Sequence, residues 1–118
     1  RITHLLEPKN NWNKTSVSAM INDITSSVAP EVIKEIANSI NYNSYNKNEQ
    51  RSIDILQLWD GSYTLDAVAP TIYNKFIYLY LKNTFQDEMG KELFTQFEHT
   101  HLIKRQIALQ IHKKNSIW

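Results

Sequence analysis

Four histidines, a loose group of acids and two short basic pairs are the residues of this chain whose types could do chemistry. A metal centre needs ligands whose side chains converge, and His99 and His101, two positions apart, fall on different sides of a helix. His4 and His112 stand alone, so the histidines read as surface or capping residues and no metal ligand is assigned. Asp60, Asp66, Asp87 and Glu88 lie near one another in sequence. Paired carboxylates do acid–base work only where burial or neighbours drive their pKa values apart. Asp60 beside Gly61 is more simply a turn residue, and Asp66 at the start of a helix a partner of the helix dipole. Lys104-Arg105 and Lys113-Lys114 could hold phosphate, but they are short and lack a recognition-helix pattern, so nucleic-acid binding is not expected. Tyr73, Phe76, Tyr78 and Tyr80 could line an aromatic pocket, yet aromatics at helical spacing are usually core. No catalytic and no cofactor-binding residue is assigned.

The elements that would position these groups read as helices. Ile2, Leu5 and Leu6 are spaced i, i+3, i+4, and Pro8 stops that first helix. Lys9 to Lys14 is a polar loop anchored by Trp12. With Thr15 or Ser16 as N-cap, Val17, Met20, Ile21, Ile24 and Val28 form one apolar stripe, so the spacing predicts a helix as far as Pro30. Pro30 either ends it or opens the next, which carries Ile33, Ile36, Ala37 and Ile40. Asn41 to Asn48 is the longest polar interval and the expected flexible connection. From Glu49 another helix directs Ile53, Leu56 and Trp59 to the core, with Ile55 and Leu58 widening its face. Gly61 suits the left-handed position after that helix, and Ser62 to Thr64 form a turn.

Leu65 to Glu88 is the most hydrophobic helix, with Val68, Ile72, Phe76 and Leu79 on one face and Ile77, Tyr80 and Leu81 beside them. Apolar on most sides, it is expected near the middle of a bundle. Pro70 either marks its true start or kinks it, and Gly90 marks its end. Leu93, Phe94 and Phe97 form a short amphipathic turn or two, and Leu102 to Ile111 a last helix. Its basic end at Lys113-Lys114 suits the negative end of the helix dipole.

Bulk properties agree with one helical domain over 1–118. With 118 residues, 42% hydrophobic, 21% charged and a net charge of +1, the chain has ordinary globular composition. A domain of this size buries roughly two-thirds of its unfolded surface. The absence of cysteine excludes disulfides and thiolate chemistry. Only two glycines and three prolines leave few turn residues for a sheet-rich fold. The longest strongly apolar run, Phe76 to Leu81, falls far short of the roughly 20 residues that span a bilayer, so no membrane partner is expected. The expected fold is therefore all-α: a single compact orthogonal bundle of about five to six helices.

Several short blocks, taken in order, carry a resemblance. Leu56-x-x-Trp59-Asp60-Gly61 is followed by Asp66-x-Val68-Ala69-x-x-Ile72-Tyr73 and then by Phe85-x-Asp87-Glu88. Upstream stand Arg1-Ile2-x-x-Leu5-Leu6 and Asp23-x-x-Ser26-x-x-Ala29. This set resembles the penicillin acylase (penicillin amidase) family of N-terminal-nucleophile amidohydrolases. Ile21 replaces the family's usual Gln and Ala67 its usual Ser.

The resemblance implies a parent enzyme that hydrolyses linear amides of the penicillin or N-acyl homoserine lactone type, placing it in antibiotic biosynthesis. In the family an N-terminal serine attacks the amide carbonyl, its own α-amino group acting as base. The matched segment would lie downstream of that serine, and a chain beginning at Arg1 without an initiator Met reads as an excised helical segment of the β chain. No position here matches a catalytic one. The resemblance further implies a periplasmic parent, calcium in the intact enzyme with no cofactor in this segment, and the catalytic core as the partner. An excised segment would also self-associate through exposed apolar surface. The alternative is a free-standing helical interaction module without enzymatic activity.

Overall fold

The computed structural model describes residues 1–7, 11–100 and 107. The described residues form an all-α bundle of five helices: α1 (Ile2–Leu6), α2 (Lys14–Ile21), α3 (Ala29–Ser39), α4 (Lys47–Gln57) and α5 (Ala69–Glu98), with a 3-10 turn at Tyr42–Ser44. The expected stop at Pro8, the basic pairs, His101, His112 and most of the Leu102 to Ile111 helix lie outside the described residues. Ile107 is described, and it is helical and buried in the core.

Two helices begin with capping boxes. The Asn13 side chain accepts from the Ser16 amide and the Ser16 hydroxyl accepts from the Asn13 amide, each at 2.9 Å. Asn13, rather than Thr15 or Ser16, is thus the N-cap of α2. Asn46 and Glu49 repeat the device, starting α4 two residues before the expected Glu49. Such a cap is worth about 1 kcal/mol. It also orders the end of the asparagine-rich interval, where Tyr42–Ser44 forms its turn and the Tyr42 hydroxyl reaches Asp54 at 3.1 Å.

The helix expected to run to Val28 stops at Ile21. The Asn22 side-chain amide turns back to the Ser18 carbonyl at 2.9 Å. The Asp23 carboxylate then accepts from the Thr25 amide at 2.8 Å. These local bonds satisfy backbone groups that a helix would otherwise need, and the chain turns into an extended step. Ile21 and Ile24 consequently lie exposed instead of completing a buried stripe. Pro30 then occupies the first turn of α3, where its missing amide costs nothing.

The start of α5 falls at Ala69–Pro70, which settles the choice at Pro70 in favour of a helix start. Leu65 and Val68 precede the helical body and are exposed, Leu65 fully at 104%. The buried face of α5 is Tyr73, Ile77 and Leu81, a strict i, i+4, i+8 stripe, and not the expected Val68, Ile72, Phe76 and Leu79. Leu79 and Tyr80 are exposed, so the helix is packed on one side rather than surrounded. It packs against α4, which in turn packs against α3.

Gly90 breaks α5 with φ 74° and ψ 162°, a conformation open only to glycine, as its expected role as a terminator requires. A straight helix would hold Phe85 and Phe97 about 18 Å apart along its axis. Their ring centroids instead meet at 5.7 Å, and Tyr78 and Phe94 at 6.5 Å, so the chain reverses at Gly90. The reversal buries Phe94 to 2% exposure beside Val32, Ile33, Ala29, Trp59 and the α5 stripe in one core cluster. Each such side chain contributes roughly 1.5–3 kcal/mol.

Candidate functional site

Segments far apart in sequence meet around Trp59. After α4 ends, the Trp59 ring is buried to 9% exposure, edge-on to Tyr63 at 5.2 Å and tilted against Tyr73 at 5.5 Å. Its indole N–H donates to the Ser62 carbonyl at 2.8 Å, and the Ser62 amide donates to the Asp60 carboxylate at 2.8 Å. Asp60 is therefore the turn residue its place beside Gly61 suggested. Across this turn the Ser26 amide donates to the Gly61 carbonyl at 2.8 Å and the Tyr63 amide to the Ile24 carbonyl at 3.3 Å. Thr25 and Ser62 form an antiparallel bridge, so Ser62 pairs with another segment, and the tight turn falls at Thr64–Ala67 instead.

Gly61 has φ 91° and lies so close to the other segment that a Cβ would stand 2.2 Å from the Ser26 carbonyl oxygen. Ser26 also accepts the Ala29 amide on its hydroxyl at 3.1 Å, starting α3. One more tie secures the same segment. Arg1 donates from Nε and Nη2 to Asp23 Oδ2 at 2.9 and 2.6 Å. That guanidinium, followed by the Thr25 amide, draws the Asp23 carboxyl down to about 2. Residues Arg1, Asp23, Ser26, Ala29, Trp59, Gly61 and Tyr73 thus belong to one connected junction.

The junction holds backbone segments in register. Burial pushes the Tyr73 phenol up to about 12, with a smaller contribution from Tyr63, so it stays neutral and serves as a core ring. Asp66 lies exposed in the Thr64–Ala67 turn and α5 has no acid in its first turn, so the expected dipole partner is absent there. Asp87 and Glu88 are adjacent and exposed. Their mutual hydrogen bond lowers Asp87 and raises Glu88, and neither lines a cavity of the groove described next. His4 is exposed on α1 and His99 follows the last turn of α5. Among the described residues no three His, Asp or Glu side chains converge to hold a metal ion.

Of the four aromatics considered for a pocket, Tyr73 is core, Tyr78 and Tyr80 are exposed, and Phe76 stacks on Tyr80 at 6.3 Å. Tyr73 and Phe76 also line a groove between α3, α4 and α5 that no sequence pattern announced. Ile33, Ile36, Ile53, Leu56 and Ile72 complete its apolar wall around about 270 Å³. A second cavity of about 270 Å³ shares Ile33, Ala37, Leu56 and Gln57 with it and extends to Pro30, Lys34, Asn38 and Trp59.

Compared with known proteins, the chain matches a family model described as Penicillin amidase across residues 1–118. No curated protein and no solved structure matches it.

Proposed function

The chain belongs to the penicillin amidase family, and from that membership we propose that it is a non-catalytic helical segment of an amidohydrolase β chain. The observation that carries this reading is the convergence of four of the five family-like blocks, through Arg1, Asp23–Ala29, Trp59–Gly61 and Tyr73, on the Trp59 junction. There they tie backbone to backbone, as the Ser26–Gly61 and Trp59–Ser62 bonds illustrate. Residues that build a scaffold in this way position other parts of an enzyme without touching the reacting atoms.

In the intact enzyme the segment packs on the catalytic sheets and helps shape the approach to the acyl pocket. An N-terminal serine elsewhere in the β chain attacks the carbonyl of a linear amide such as a penicillin or an N-acyl homoserine lactone. The parent is periplasmic, and any calcium it holds is bound outside this segment. Partly covered by the catalytic core, the segment alone self-associates through residues such as Leu58, at 88% exposure, and Leu65.

Hydrolysis assays with a penicillin and with an N-acyl homoserine lactone are expected to read zero for residues 1–118 alone, and robust turnover would refute the proposal. The coding region upstream should encode a Ser-Asn-Asn-Trp-like processing site. A start codon directly before Arg1 and a stop directly after Trp118 would instead favour the free-standing interaction module.

A further inference from the structure

Isoleucines from three helices face the groove between α3, α4 and α5, and Ile36, Ile40, Ile53 and Ile72 on it are only half-buried. Covering such a row removes apolar surface from water. The chain supplies a cover close at hand. Ile107 is helical and buried in the core cluster that also holds Ile33 and Tyr73, and those two residues line the groove as well. Residues 108–118 thus follow directly on a core residue whose cluster the groove adjoins. They reach about 16 Å as a helix or about 36–40 Å extended. The wall from Ile33 to Ile40 along α3 is only about 10 Å long.

The composition of the segment suits that wall. Ile103, Ile107 and Ile111 stand at i, i+4 and i+8, so Ile111 continues the spacing of the buried Ile107. Ile117 and Trp118 add two large apolar side chains. Among the described residues Glu49 is the one charged side chain lining the groove, and residues 108–118 carry Lys113 and Lys114 but no acid for it to repel. We propose that residues 108–118 lie along this groove, with Ile111 nearest Ile33 and Tyr73, Ile117 and Trp118 on the isoleucine wall, and the two lysines on the side of Glu49. The same segment of a second copy has the same chemistry, but a tethered segment escapes the entropic cost of association. The contact lies within the chain and stands independently of the family reading.

The absence of cysteine makes a single spin label easy to place. A nitroxide on Ser116→Cys, in chain otherwise intact and enriched in nitrogen-15, is expected to remove more than half the amide signal intensity of Ile36, Ile40 and Ile53. Val17 on α2 should keep its signal, and reducing the nitroxide should restore the others. The same label on a chain that also carries Ile117→Ser and Trp118→Ser should leave the groove signals at full intensity, with the spectrum of the reduced form showing that the fold is kept. Full groove signals in the first labelled chain would overturn the proposal, and so would broadening that survives the double serine substitution. Broadening of an unlabelled, nitrogen-15 chain mixed with labelled chain of natural isotope content would also overturn it, assigning the groove to a second copy.

Discussion

Replacing Gly61 by alanine tests the junction most directly. Gly61 has φ 91°, where an L-residue with a side chain is strained by about 1–3 kcal/mol. Its new methyl would also stand 2.2 Å from the Ser26 carbonyl oxygen and 3.2 Å from two carbons of the Pro30 ring. The nearest of these is backbone, tied to α3 through Ser26 and Ala29, so it cannot swing aside as a flexible side chain would. Forcing the segments apart adds about 1–3 kcal/mol of overpacking, and stretching the Ser26–Gly61 hydrogen bond about 1 more. The sum is roughly 3–7 kcal/mol, set against a total stability of about 6–18 kcal/mol for a chain of this length.

Gly90→Ala supplies the control. Gly90 also has positive φ, but a Cβ there meets nothing within 4 Å, so backbone strain alone is expected. Urea unfolding followed by far-ultraviolet circular dichroism should place Gly61→Ala at least about 1–2 kcal/mol below Gly90→Ala. If the two variants were equally stable, or Gly61→Ala lay within about 0.5 kcal/mol of the parent, the close approach of the two segments would be refuted.

The remaining expectations concern neighbouring features. Trp59→Phe keeps a ring against Tyr63 and Tyr73 but loses the bond to the Ser62 carbonyl, costing about 0.5–1.5 kcal/mol, whereas Trp59→Ala should cost about 3–5, both read from urea midpoints. The Asp23 carboxyl lies at about 2 when folded against an ordinary 3.8, so its contribution is present above pH 4 and disappears as the pH falls through about 2. Carboxyl carbon shifts in an NMR titration should reveal this depressed midpoint, and Arg1→Gln should move it back upward. Leu58→Ser combined with Leu65→Ser should change stability by less than about 0.5 kcal/mol yet reduce self-association in size-exclusion chromatography. Loss of the folded state in that variant would mean that these leucines are covered.

Composition and helical spacing by themselves determined that the chain is all-α, that Gly61 and Gly90 break its helices and that Trp59 belongs to the core, but left open whether Pro30 and Pro70 end or open a helix. These are local matters: proline lacks an amide, glycine alone tolerates the backbone at Gly90, and apolar spacing records which residues can share a helix face. The ordered family blocks were legible for the same reason, being patterns along the chain. Tertiary structure alone decided which face of α5 is buried, since Val68, Ile72, Phe76 and Leu79 are as apolar as Tyr73, Ile77 and Leu81 and only packing against α4 separates them. It also ended α2 at Ile21, where the turn at Asp23 and pairing with Gly61–Tyr63 replaced a helix that the spacing favoured. Arg1 meets Asp23 across 22 positions and Ser26 meets Gly61 across 35, with no period to announce either contact. The groove between α3, α4 and α5 was invisible for the same reason: Ile33, Ile53 and Ile72 acquire a common wall only when their helices are placed side by side.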